Sequence, residues 1–370
     1  MKIPGGIVLI WIVLVVAFAR IPASAVILIA SGVRVDRFKD DAAEDASVGV
    51  TIPLGLRYAY NKFLSFSLES AYNRTEQGSI TLSSFTDALA RVSYIIPKLP
   101  LPVMVGVMVN LPTGQKTIED EEKDIMDEDA EVDDAGQGLN IGFLFSGAKK
   151  YQNWTIGLNG QYAYKGEYDP TDNFPDDDFD PGDHLLVNAK VQWKASSALN
   201  VGTSFAYMHV WPDTVGGDES FQEGSTTTLR GNLQLTRQPF TWGLNAQYIM
   251  PAKSKYLETE GLKTEPDNSK GRNAALALNG TYTHSQRLMF QAMVTLQHTT
   301  ESPKQEAGVP YVGKRVQYSL GPRVIYSVTP ALSSNVSVAY LHTREDANIY
   351  TEDAVTTHGL KCNLGISYTF

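Results

Sequence analysis

Between Gly359 and Phe370 the chain alternates without a break. Leu360, Cys362, Leu364, Ile366, Tyr368 and Phe370 are apolar, while Gly359, Lys361, Asn363, Gly365, Ser367 and Thr369 are small or polar. A period of two is the spacing of a β-strand whose two faces meet different surroundings. The stretch is also long enough to cross a bilayer as a tilted strand, which takes ~9–11 residues. A strand in lipid must have its backbone groups satisfied by neighbours, so it survives there only inside a closed barrel. The same alternation also suits one layer of a water-soluble sandwich. Repetition along the rest of the chain separates the two.

The alternation recurs in nearly every segment between loops. Val48, Val50, Ile52, Leu54, Leu56 and Tyr58 make one apolar row, and Leu64, Phe66 and Leu68 another. Ala88 to Ile96 and Val103 to Leu111 follow, then rows led by Leu139, Trp154, Val187 and Leu199. Rows led by Leu229, Trp242, Leu276, Leu288, Val316 and Leu332 complete the set before the last strand. With a first strand at roughly Ile27 to Val35, the total is about sixteen, an even number that brings both chain ends to one side. Connections alternate in length as well. Short turns at Asn61-Lys62, Pro97–Pro100, Lys149–Gln152, Ala195–Ser197, Arg237–Pro239, His284–Arg287 and Val328–Pro330 separate longer polar loops. The long ones are Pro112–Gly138, Tyr168–Asp183, Pro212–Gly224, Pro251–Gly271, Ser302–Gly313 and Arg344–Asp353. Aromatic residues gather at both strand ends: Tyr60, Trp154, Trp193, Trp242, Tyr282, Tyr326 and Phe370 by the short turns, and Tyr72, Tyr164, Trp211, Tyr248 and Tyr340 by the long loops. Two such belts match the two interfaces of a bilayer. The expected fold is all-β: a transmembrane antiparallel up-and-down barrel of about sixteen strands, with 14 and 18 as the neighbouring even counts, its short turns periplasmic and its long acidic loops extracellular.

Composition narrows the class further. A mean hydropathy of −0.18 and 43% hydrophobic residues are too low for a bundle of membrane helices. The apolar N-terminal run Ile7 to Ala19, with Lys2 before it and Ala23-Ser24-Ala25 after it, reads as a signal peptide over residues 1–25. The barrel is expected over 26–370. A single cysteine, Cys362, permits no internal disulfide. The net charge of −10 argues against nucleic acid.

Closing about sixteen strands leaves an interior too wide for side chains alone to fill. The Pro112–Gly138 loop is the expected infolded constriction. Opposite the apolar rows lie Arg34, Arg57, Glu69, Asp87, Arg91, Lys190, Arg230, Arg323 and Lys361, seven basic residues and two acidic. Charges within a membrane element are costly unless they face water or one another, so these mark a hydrated lumen of basic bias. In the alternative reading, Arg57, Glu69, Asp87 and Arg91 form a ladder of ion pairs that braces the early strands. The loops carry the opposite sign: Glu119 to Asp134 holds eleven carboxylates and one lysine. Weak calcium or magnesium binding is expected there and at Asp176, Asp178 and Asp180, although Asp127 to Asp133 lacks the glycine of a calcium-binding turn. The other reading is a solvated, self-repelling loop. No firm metal site and no cofactor are expected. His184, His209, His284, His298, His342 and His358 are scattered near strand ends, and no nucleophile or zinc motif accompanies them, so no enzyme is expected. A loop acid beside His209 or His342, mimicking the externally placed catalytic group of barrel lipases and proteases, is the arrangement that would change that reading.

The last strand, ending on Tyr368 and Phe370, resembles the closing strand of bacterial outer-membrane barrels, whose assembly machinery recognises an aromatic terminus. A further stretch is more specific. Gly106-Val-Met-Val-Asn-Leu-Pro-Thr-Gly114, followed after the loop by Gly136-Gln-Gly-Leu-Asn-Ile-Gly142, resembles part of the outer-membrane channels grouped with the MetA pathway of phenol degradation. Those channels are related in architecture to the FadL-type channels. The acidic insertion departs from that pattern, and no N-terminal hatch is expected. The resemblance implies a channel in the bacterial outer membrane, surrounded by lipid and lipopolysaccharide and inserted by the barrel-assembly machinery. Passive passage of small solutes, among them small anionic or aromatic compounds, is the function it implies. A barrel that sheathes a partner protein, such as a periplasmic electron carrier, is the second reading.

Overall fold

The computed structural model describes residues 26–41, 46–78, 80–97, 99, 101–114, 138–167, 179–259, 261–306, 308–349, 351 and 353–370. The expected signal segment 1–25 and the acidic stretch 119–134 lie outside them. Sixteen antiparallel staves close into one barrel. In chain order they are β1 (Val26–Asp40), β2 (Ser47–Ala59), β3 (Leu64–Gln77) and β4, which is broken into Ile80–Phe85 and Ala88–Ile96. Then come β5 (Val103–Leu111), β6 (Asn140–Tyr151), β7 (Trp154–Tyr164), β8 (His184–Lys194), β9 (Leu199–Val210) and β10 (Thr226–Arg237). The last six are β11 (Phe240–Pro251), β12 (Asn273–Thr283), β13 (Leu288–Thr299), β14 (Arg315–Ser327), β15 (Leu332–Glu345) and β16 (Val355–Thr369). Each stave pairs with its neighbours in sequence, and β16 pairs with β1 from Thr369 opposite Leu28 to Thr357 opposite Asp40. That last pairing removes the sheet edges, the condition for a β-structure in lipid.

The apolar rows stay uncovered. Phe143, Ile156 and Leu320 are 54%, 57% and 56% exposed, in a protein with few buried apolar side chains. A soluble sandwich would bury these rows, so the outward surface is lipid-facing and the barrel is an outer-membrane one. No helix among the described residues is long and apolar enough to cross a membrane. Strands run from 9 to 15 residues, with β1 reaching Asp40 rather than stopping near Val35. The short turns fall where the alternation breaks, except that β6 continues through Lys149 and Lys150 to Tyr151.

Rings line the short-turn rim. Trp154 and Trp193, register partners on β7 and β8, stack at 5.5 Å and 14°. Phe240, Trp242, Tyr282 and Phe290 continue the girdle over β11 to β13. Tyr368 and Phe370 finish it, with ring centroids 4.4 Å apart. Stacked pairs contribute ~1 kcal/mol beyond their buried area. Trp193→Ala is therefore expected to lower the urea midpoint of the barrel in vesicles by an amount equivalent to about 1 kcal/mol. An unchanged midpoint would leave this pair no part in stability.

At the other rim the structure departs from the sequence reading. The Tyr168–Asp183, Pro212–Gly224 and Pro251–Gly271 connections are not wholly loop. Phe179–Asp180, Asp213–Val215, Asp218–Gln222, Lys255–Glu258 and Gly261–Thr264 form a separate five-stranded sheet. Its strands are short and without alternation, so no period of two announces them. Glu265 fastens it, accepting hydrogen bonds from the Ser254 and Ser269 backbone N–H groups at 2.8 and 3.1 Å. A small hairpin, Gln305-Glu306 against Val309-Pro310, caps the Ser302–Gly313 connection.

Candidate permeation site in the lumen

The inward face follows from alternation and register. A cavity of about 900 Å³ opens inside the barrel against β1 to β9. Its wall includes Leu28, Arg57, Glu69, Asp87, Leu89, Met108, Asn110, Gln161, His184, Leu186 and Met208. Apolar and charged groups therefore share one chamber. Met108 lies across Gly142, where an added Cβ would come 2.6 Å from its side chain, so glycine there leaves room for the thioether at the wall. A second cavity of about 720 Å³ sits by the short turns, lined by Lys150, Gln152, Gln192, Lys194, Asn232 and Gln234 among others.

One hydrogen-bonded row across the early staves runs Leu28, Arg57, Ser67, Arg91, Met108. Two arginines thus flank one serine, and Glu69 occupies the adjoining row between Gly55 and Leu89. Among the described residues no hydrogen bond or ion pair engages Arg57, Glu69 or Arg91, and the Arg91 Nε is a buried donor with no acceptor. The bracing ladder is not formed among those three. Arg34 differs: its Nε is 2.8 Å from Asp36 Oδ2, and its Nη2 donates to Thr51 at 3.4 Å. Lys361 lies 5.3 Å from the centroid of the Phe38 ring. Arg230 donates from Nε to Gln247 at 2.8 Å.

Carrying the register around the barrel places Lys190 on the inward face of β8, Arg230 on β10, Arg323 on β14 and Lys361 on β16. Lys194 and Arg315 fall on that face too. Among the described residues of staves β8 to β16 the only inward carboxylate is Glu345, the register partner of Arg315 at the strand end. From β1 to β7 the inward charges are mixed: Arg34, Arg57, Arg91 and Lys150 with Asp36, Asp40, Glu69 and Asp87. The lumen has one mixed wall and one basic wall. Sequence reading missed Asp36 and Asp40 because it ended β1 early, although both keep the phase of Arg34.

Asp87 owes its aim to an irregularity. Glu69 faces Leu89 and Ala71 accepts from the Thr86 N–H, so Asp87 and Ala88 together oppose Ser70. This one-residue bulge turns Thr86 and Asp87 to the same side. Asp87 Oδ1 accepts the Gly114 N–H at 2.8 Å, and Oδ2 accepts from Asn110 Nδ2 at 2.7 Å. Asn110 also donates to the Gly138 carbonyl at 3.1 Å. Thr113 Oγ1 takes the Ala88 N–H at 2.9 Å and donates to the Thr86 carbonyl at 3.3 Å. The Leu-Pro-Thr-Gly stretch is thus the latch that sets both stems of the long loop over the chamber. Residues 115–137 of that loop, where a constriction is expected, lie outside the described residues.

Of the acidic residues expected to attract divalent cations, Asp180 lies in the outer sheet opposite Thr214, while Asp176 and Asp178 lie outside the described residues. Burial pushes the Asp180 carboxyl above the usual carboxylate range, and Asp183 adds to it. Burial likewise raises Asp213, against the Gly182 N–H that it accepts at 2.7 Å. No group of three His, Cys, Asp or Glu is arranged to hold a metal among the described residues. His209 Nδ1 is 3.0 Å from Ser225 Oγ, and the Tyr207 hydroxyl donates to the same oxygen at 3.1 Å. Among the described residues no carboxylate hydrogen-bonds that imidazole, so the pair lacks the group that would orient a base.

No family model matches the chain, and no curated protein matches it significantly. Solved structures with a similar course include a bacterial polysaccharide outer membrane secretin (13% identity, TM-score 0.49), with 94% of this chain and 98% of that one covered. The outer membrane protein OprD from Pseudomonas aeruginosa is similar at 11% identity and TM-score 0.47, covering 94% of each chain. The CymD monoaromatic hydrocarbon channel is similar at 9% identity and TM-score 0.46, covering 93% of this chain and 88% of that one.

Proposed function

We propose that the barrel is a passive outer-membrane channel for small amphipathic anions, such as carboxylates carrying an apolar or aromatic body. The observation that carries this reading is the chamber itself. Arg57, engaged by no ion pair or hydrogen bond among the described residues, stands in one wall with Leu28, Leu89, Met108, Leu186 and Met208, which offers a charge site and an apolar surface to one solute. A cation in a narrow space with low-dielectric walls concentrates anions, and the basic wall from β8 to β16 extends that attraction along the lumen. At about 900 Å³ the chamber has the size of a small-molecule site.

Purified protein in a planar bilayer under a salt gradient tests the reading. Stepwise conductance with a reversal potential on the anion side is expected, and millimolar benzoate is expected to reduce chloride current more than benzyl alcohol does. Cation preference, or steps that benzoate leaves unchanged, would remove the proposal.

A further inference from the structure

The outward surface should be apolar until it meets the head groups, and at one sector of the long-loop rim it turns basic. On the outward face of β1, Val33 and Val35 are followed by Arg37 and Lys39. On β15, Val336, Val338 and Tyr340 are followed by His342 and Arg344, and on β16 His358 lies just beyond Leu360. Register brings these together. Lys39 faces His358, His358 faces His342, and His342 faces Tyr318 on β14, one row across four staves. Arg37 lies in the row below, opposite Leu360, and Arg344 in the row above, opposite Thr356.

The middle row is a shelf of rings. Tyr318 and His342 have centroids 4.6 Å apart, and His342 and His358 4.7 Å apart. The Tyr340 hydroxyl is 2.7 Å from His358 Nδ1, and that nitrogen is 3.3 Å from His342 Nδ1. Arg37, Lys39 and Arg344 are exposed, and among the described residues no ion pair or hydrogen bond engages their side chains. A carboxylate, Asp41, stands at the edge, 4.0 Å from His358 Nε2. Four staves at ~4.8 Å and three rows at ~6.7 Å make a patch of roughly 14 Å on a side.

Uncompensated cations on the outside of a membrane barrel are costly within hydrocarbon and favourable beside anionic head groups. We infer that this sector is a binding site for the phosphorylated head group of a glycolipid in the surrounding outer leaflet. Arg37, Lys39 and Arg344 meet the phosphates, and the Tyr318–His342–His358 shelf supports the sugar faces. The site lies outside the barrel and does not depend on what crosses the lumen.

Binding of fluorescent lipid A in detergent micelles, read by anisotropy, tests this. Arg37→Ser/Lys39→Ser/Arg344→Ser is expected to raise the Kd about a hundredfold, from the attraction each cation adds. Lipid A stripped of its phosphates should bind the unaltered protein about as weakly. Arg37→Lys/Lys39→Arg/Arg344→Lys should retain the affinity, as should Lys149→Ser/Arg237→Ser at the opposite rim. Equal affinity for the two lipid forms overturns the inference, and needs no variant to assemble. Full competition by inorganic pyrophosphate at equal concentration overturns it too, since the site would then be one for a free anion.

Discussion

Exchanging Arg230 and Arg323 together for glutamate is expected to remove most of the anion preference proposed for the pore. Both side chains fall on the inward face of staves whose mid-strand inner positions carry no carboxylate. Among the described residues Arg323 has no hydrogen bond or ion pair, and Arg230 is held only through Nε by Gln247. Their charge is therefore directed into the lumen. The double exchange changes the net charge of that wall by four units, and field lines confined between low-dielectric walls raise or lower local ion concentration by factors of ~10 to 10³. A shift of at least about tenfold in the anion-to-cation permeability ratio follows, read from the reversal potential under a salt gradient. Arg230→Gln/Arg323→Gln should fall between the two. If the glutamate protein keeps its conductance steps and also its selectivity, ions do not travel along this wall.

The alternation carried most of the architecture because it is imposed by the environment. Each stave must show lipid one face and the lumen the other, so Val103 to Leu111 or Leu360 to Phe370 can be read without neighbours. What escaped has no such pressure on it. Ile80–Phe85 belongs to β4, but the bulge at Thr86-Asp87 shifts its phase against Ala88–Ile96, and a rule of strict alternation breaks the stave there. The outer sheet is built of two- to five-residue strands in polar connections, where neither face is selected for lipid. Candidate lumen charges were legible as phase, whereas their partners were not. Arg34 meets Asp36 along its own strand, while Arg57 and Arg91 flank Ser67 only because three staves align. The row Lys39, His358, His342, Tyr318 is likewise a product of register, with Lys39 brought across the closing seam to three residues near the other end of the chain.

The latch on the long loop gives the other large effect. Asp87→Ala removes the acceptor for Gly114 N–H and Asn110 Nδ2 and leaves both donors beside the chamber without it. Hydrogen bonds to a charged group contribute about 1.5–3 kcal/mol each, so opening of the stem becomes easier by at least ~3 kcal/mol. Hydrogen exchange through transient opening follows that equilibrium, and ~3 kcal/mol corresponds to a factor of about 150. Exchange of the Gly114 amide hydrogen, which Asp87 accepts, should therefore be roughly a hundredfold faster than in the unaltered protein. Asp87→Asn should fall between. Its carbonyl oxygen can still accept the Gly114 N–H, but its amide then faces the Asn110 amide, donor against donor. Asn110 can rotate to accept that amide only by giving up the Gly138 carbonyl, so the second stem loosens instead. Retained resistance of the barrel to denaturation in detergent would show that the effect is confined to the loop. Equal exchange rates in all three proteins would mean that the ladder of β5 and β6 holds the stems unaided.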